Sequence, residues 1–273
     1  MGFFPQPFLD GYKAIVFNGE AKSMVFYAFG IFGVQMMRAA IVNASFRTDS
    51  ASDKAAGVLT LMNAANWVFF ALSDGSMVIL DTLPPNFPKD AIAANCVLFL
   101  LMASMNINAW IGAGSPQPDW KKMKPTGPLA TPMIVMIVNL LGFAVGCSFL
   151  TEPFVDQFIP GLLSKFNPGA KGAILLIFGN AGKQMIFNIL TLCAVSAAEP
   201  GTADTNYRLL RGWIYGMFFY MGRFAQEAVT EAATGWPSPM RVPSFISCFA
   251  ALFFAATSIG DWPITVATKA KSA

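Results

Sequence analysis

Seven stretches of about twenty mostly apolar residues, separated by short segments that cannot continue a helix, constrain this chain more than any other feature. They run approximately over 24–44, 57–83, 90–113, 131–150, 173–197, 212–233 and 243–260. Twenty residues of α-helix rise about 30 Å, the thickness of a bilayer's hydrocarbon core. The breaks are chemical: Arg47 to Lys54 is polar, Pro84-Pro85-Asn86-Phe87-Pro88 is incompatible with a helix, and Ser115 to Pro128 holds four prolines and three lysines. Only 12% of the 273 residues are charged, 55% are hydrophobic, and the mean hydropathy is +0.54. A water-soluble domain carries about twice that charge. The expected fold class is therefore an all-α integral membrane protein, multi-pass, with seven transmembrane helices.

The ends are read separately. Residues 1–23 form an interfacial segment, because Pro5, Pro7, Asp10 and Lys13 interrupt the apolar part that a signal peptide needs. Outside the spans, Lys and Arg number six on the N-terminal side and nine on the other, which places the C-terminus and the 115–130 loop in the cytoplasm or its equivalent. The polar tail 261–273 ends in Lys269-Ala270-Lys271-Ser272-Ala273, which resembles the KxKxx retrieval ending of endoplasmic reticulum membrane proteins. A positive-inside anchor explains the same lysines, so the organelle stays open.

The chain has no histidine, which excludes imidazole bases, histidine haem or zinc ligands and histidine proton relays. Cys96, Cys147, Cys193 and Cys248 all lie in apolar stretches without CxxC spacing and read as packing residues. The formal charge of +3 is small and scattered, so nucleic acid is not an expected partner. No nucleophile elbow, HExxH, phosphate loop or dinucleotide fingerprint occurs, and no enzyme activity or metal site is expected. No cofactor is assigned, although Gln, Asn or Glu can hold a pigment.

A search for self-similarity uncovers an internal duplication. Phe17-Asn18-Gly19-Glu20-Ala21-Lys22 and Phe29-Gly30-Ile31-Phe32-Gly33-Val34-Gln35-Met36 reappear 149 positions later as Phe166-Asn167-Pro168-Gly169-Ala170-Lys171 and Phe178-Gly179-Asn180-Ala181-Gly182-Lys183-Gln184-Met185. Nine of these twenty ungapped positions are identical, where chance gives one or two. The match extends from Pro7-Phe8-Leu9-Asp10 with Pro153-Phe154-Val155-Asp156 to Cys96 with Cys248 and Trp110 with Trp262, at offsets of 146 to 152. The chain thus divides into the 1–23 segment, a first three-helix repeat over 24–114, a loop and linker helix over 115–150, a second repeat with an interfacial segment over 151–260, and the 261–273 tail. Three helices and one inverting linker leave the two repeats parallel, related by a pseudo-twofold axis along the membrane normal. This 3+1+3 layout resembles that of sugar-transporting SWEET proteins and PQ-loop carriers; the resemblance is one of layout and carries no residues over.

The few polar residues inside the spans lie in stripes. Asn63, Asn66, Ser73, Asp74 and Asp81 share one face of the second span. Arg223, Gln226, Glu227, Thr230 and Glu231 share one face of the sixth, and Asn180, Lys183, Gln184, Asn188 and Thr191 gather in the fifth. A charge in hydrocarbon costs roughly 2.5–3.5 kcal/mol on insertion scales, so these faces are expected to meet one another or water. The duplication matches Gln35 with Gln184 and Asp74 with Arg223. The expected substrate or ion pathway comprises Gln35, Asn66, Asp74, Lys183, Gln184, Arg223 and Glu227, and the expected structural ion pairs involve Arg38, Asp74, Arg223 and Glu227. Asp81 and Glu231, near span ends, are expected in solvent, and Trp67, Trp110, Trp213, Trp236 and Trp262 at the interfaces.

Two functions fit this pattern. One is a small-solute or ion transporter or channel with a midplane polar site between the repeats. The other is a non-catalytic structural or assembly subunit of a larger membrane complex, photosynthetic or respiratory. The lipid bilayer is the expected partner in both, with a homo-oligomer or neighbouring complex subunits beside it.

Overall fold

The computed structural model describes residues 19–47, 53–158, 160–161, 163–200, 202–234 and 241–259. Within them the chain is helical and contains no strand. In chain order the helices are α1 (Gly19–Arg47), α2 (Asp53–Ile79), α3 (Lys89–Gly112), α4 (Ala130–Phe149), α5 (Thr151–Phe158), α6 (Pro168–Ala198), α7 (Ala203–Thr234) and α8 (Arg241–Ser258). Single 3-10 turns occur at Trp120–Lys122 and Leu163–Lys165. Residues 1–18 of the expected interfacial segment and the whole polar tail 261–273 lie outside the described residues, as do Trp236 and Trp262.

Each expected span falls on one helix. The second ends earlier than expected, at Ile79, because Asp81 turns into the left-handed region (φ 55°) and pairs with Lys89 at the start of α3. Asn167 caps α6 by accepting from the Ala170 amide at 2.8 Å, with Pro168 in the first turn where its missing N–H costs nothing. Among the described residues five helices are long and apolar enough to cross a membrane: α1, α2, α3, α4 and α6. The sixth and seventh expected spans are helical, but α7 opens with Asp204, Arg208 and Arg211, and the described apolar part of α8, Ile246–Ser258, is shorter than a span.

α6 is the hub. It packs against α1, α2 and α4, while α1 also packs on α7, α2 on α3, and α8 on both α4 and α7. A backbone must come close for α4 to lie along α6, and Gly182 permits it: a Cβ there would stand 2.7 Å from Cys147 Cβ and from the Ser148 amide nitrogen. α4 shows why its sequence is almost wholly apolar. Met133, Met136, Leu140, Ala144 and Cys147, spaced three and four apart, are buried against its neighbours, while Ile134, Val138, Leu141 and Val145 are exposed on the opposite side.

Loops close both ends of the bundle. At one end the 80–88 connection seats Pro84 against Gly172, and Phe87, Ile92 and Ala173 form a small apolar cluster of their own. At the other, Asn206 donates to the Thr126 and Pro128 carbonyls at 2.7 and 2.9 Å and accepts from Ser196 at 2.8 Å. Arg208 donates to the Ser45 carbonyl at 3.0 Å, tying α7 to the end of α1. Trp110 donates to the Pro116 carbonyl at 2.8 Å. Trp213, expected at an interface, is instead buried in the bundle, packed under Arg38.

Replacing Gly182 with valine should force α4 off α6, with a stability loss of about 1–3 kcal/mol, the range for overpacking a close contact. The loss would appear in a denaturation series on the purified protein, with Gly112→Ala, where a Cβ meets nothing within 4 Å, as the unchanged control.

Candidate functional site

Water is absent from a bilayer core, so an amide buried there must bond to another side chain or to backbone. Where α1, α2 and α6 meet, four side chains do this for one another. Gln35 and Gln184 are each 1% exposed. Asn66 donates to Gln184 Oε1 at 3.0 Å, and Gln184 donates to Asn188 Oδ1 at 3.1 Å. Asn188 donates in turn to the Gln35 carbonyl and to Gln35 Oε1, at 3.2 and 3.3 Å. The row continues toward the end of the bundle where α1 and α6 finish, in a reciprocal pair, Asn63 Nδ2 to Asn43 Oδ1 at 2.6 Å and Asn43 Nδ2 to Asn63 Oδ1 at 3.4 Å. Asn43, Asn63, Asn66, Gln184, Asn188 and Thr191 surround a space of about 10 Å³, room for about one water.

Toward the other end the row becomes charged. Lys183 donates to Ser73 Oγ at 2.6 Å and to Asn180 Oδ1 at 3.2 Å. The Asp74 carboxylate lies beside Lys183 and Asn180, is 7% exposed, and its Oδ1 has no hydrogen-bond partner. Asp74 and Asn180 face a cavity of about 650 Å³ between α1, α2, α3 and α6. Apart from Asn95 the rest of its lining is apolar and partly aromatic, with Phe29, Phe32 and Phe70 among it. Trp67 belongs to this wall, stacked on Phe99 with ring centroids 5.4 Å apart. Met37 and Leu98, exposed on the outside of the bundle, frame its opening.

Five of the expected pathway residues, Gln35, Asn66, Asp74, Lys183 and Gln184, are therefore on the α1–α2–α6 interface. The side chains of Arg223 and Glu227 lie outside the described residues, so the expected pairing of Asp74 with Arg223 does too. Arg38 is 1% exposed and does not reach an interface. It donates to Gln35 Oε1 at 3.1 Å and lies over the Trp213 ring at 5.0 Å, and no described carboxylate lies within 4 Å of it. A Cβ at Gly216 would stand 2.8 Å from Arg38 Cγ, so the glycine makes the room the guanidinium stem uses. Asp81, as expected, is exposed. Sequence reasoning passed over Asn43, whose only signal is that it lies two turns beyond Gln35 on α1, and the aromatic cavity.

Among the described residues no three Cys, Asp or Glu side chains gather as a metal site would require. No protein-family model, curated protein or solved structure matches the chain.

Asn188→Leu should leave Gln184 Nε2 without an acceptor and take one of two side-chain donors from Gln35 Oε1, at a cost of roughly 1–2 kcal/mol. Ser104→Ala, at an exposed hydroxyl bonded only within its own helix, should change stability by less than about 0.5 kcal/mol. Unfolding midpoints of the two variants against wild type check both values.

Proposed function

We propose that the protein is a small-solute or ion transporter or channel whose pathway runs between two tandem three-helix repeats, residues 24–114 and 151–260, joined by α4. The observation that carries this reading is the row of buried and half-buried polar side chains along α6, Asn180, Lys183, Gln184, Asn188 and Thr191. From Asn180 to Thr191 it covers about 16 Å at 1.5 Å per residue, roughly half of a hydrocarbon core, and it borders a cavity at one end and a water-sized space at the other. Polar rows of this kind are costly in a bilayer and mark solute and ion routes. Gln35, Asn66, Asp74, Lys183 and Gln184 line the proposed route; Arg223 joins it through the sequence duplication and Glu227 through the polar stripe it shares with Arg223 in the sequence.

Helix packing supports the repeat. Exchanging α1 with α6, α2 with α7 and α3 with α8 turns principal helix contacts into others that exist: between the units α1 on α7 corresponds to α2 on α6, and within them α2 on α3 corresponds to α7 on α8. Gln35 and Gln184, matched by the duplication, share Asn188 between them, as two equivalent residues close to a twofold axis would. One observation favours an assembly subunit instead. Val97, Leu98, Leu100, Leu101 and Met105 leave α3 broadly exposed, a face suited to neighbouring helices as well as to lipid.

Proteoliposomes distinguish the two. Purified chain should conduct at least one of H⁺, K⁺, methylammonium and glycerol faster than protein-free liposomes, and Gln184→Leu, which removes the centre of the row, should reduce that flux roughly tenfold, equivalent to about 1.4 kcal/mol in the barrier. No excess flux of any of the four would remove the transport reading and leave the assembly subunit.

A further inference from the structure

The two proposed repeats differ at one place. On α6, α4 covers Gly182, with Cys147 and Ser148 lying where a Cβ would be, and α4 reaches on to α8. The matched glycine on α1 is Gly33, and the corresponding place in the first repeat lies between α1 and α3. No described helix occupies that place. Gly33 borders the 650 Å³ cavity there, with α3 contributing Ile92, Asn95, Leu98 and Phe99 to the far wall. Among the described helices, a single linker helix covers only one of the two equivalent faces, an account that rests on the repeat reading above.

The cavity is not a plain gap between helices. Asp74 is over nine-tenths buried, faces it, and keeps one carboxylate oxygen without a hydrogen bond. An orphaned carboxylate oxygen in an apolar surrounding accepts strongly from any donor that reaches it. The aromatic walls add negative ring faces, which favour a cation close by. The volume lies within the range of sites for drug-sized molecules. Lys183, held by Ser73 and Asn180 beside Asp74, opposes a second positive charge. We infer that this cavity is a binding site for an amphiphilic monocation, an aromatic or aliphatic body bearing one protonated amine held beside the Asp74 carboxylate. It names the substrate class of the proposed pathway.

Dansylcadaverine, with a fluorescent aromatic body and one primary ammonium, is a direct probe, and N-acetyldansylcadaverine is its uncharged twin. Full-length protein in lipid nanodiscs, read against empty nanodiscs, should bind the amine saturably and roughly tenfold or more tightly than the acetylated twin, the difference expected of one charge-assisted hydrogen bond. Asp74→Asn should abolish that preference. Leu98→Trp, which adds bulk at the opening and leaves the charge in place, should weaken both probes. Equal binding of the two probes by wild type, a comparison that needs no variant, overturns the inference, as does an undiminished preference in Asp74→Asn. Amine preference without flux in proteoliposomes would keep this site and remove transport; flux without amine preference would keep transport and remove this substrate class.

Discussion

The bundle depends on one interaction, the bridge that Asn188 makes between Gln35 and Gln184. Between apolar helices in lipid there is little hydrophobic drive to associate, because tails are as apolar as leucine, so close packing and side-chain hydrogen bonds decide which faces meet. Here the bonds cross from α6 to α1 through Asn188 and from α6 to α2 through Asn66 and Gln184. A rotation of α6 that broke this contact would leave several amides unpaired in a medium that cannot solvate them. The amides thus select one arrangement of three helices that could otherwise turn about their axes.

Close approach of backbones supplies the second half of the argument. Gly182 lets α4 lie on α6, Gly216 makes space for the Arg38 stem, and a Cβ at Gly212 would stand 2.9 Å from Val42 Cγ2. The glycines sit on the same two interfaces, α4–α6 and α1–α7, where few polar side chains bridge the helices. Packing and polar bonding therefore divide the work, with glycine contacts outside the α1–α2–α6 junction and amides within it.

Most helices were legible because proline, charge and length mark a membrane span strongly: each expected segment falls on one helix, and the break at Pro84 to Pro88 becomes the loop that docks on Gly172. The inward direction of Gln35, Asn66, Asp74, Gln184 and Asn188 was legible too, since a polar side chain among apolar ones has few places to go. Partner identity was not. Arg38 offered only a cation within a span, and nothing local in the sequence announces that an aromatic ring 175 positions away, Trp213, lies beneath it. Trp67 was misplaced for the same reason, because an aromatic anchor at an interface and an aromatic wall of a cavity look alike in one dimension. The membrane-crossing character of α7 is weak in hydropathy because charge occupies its first turns, and the cavity had no signature at all, being made by what α4 does not cover.

The position of the cavity's opening has a consequence for concentration. Met37 and Leu98, each near the middle of its helix, frame it on the outer surface of the bundle. A molecule reaching Asp74 by that route arrives from the bilayer leaflet, so occupancy follows its mole fraction in lipid. Two compounds with equal intrinsic fit would then rank by oil–water partition, each additional methylene adding about 0.8 kcal/mol to apparent affinity without touching the protein. Selectivity at such a door belongs partly to the membrane around it.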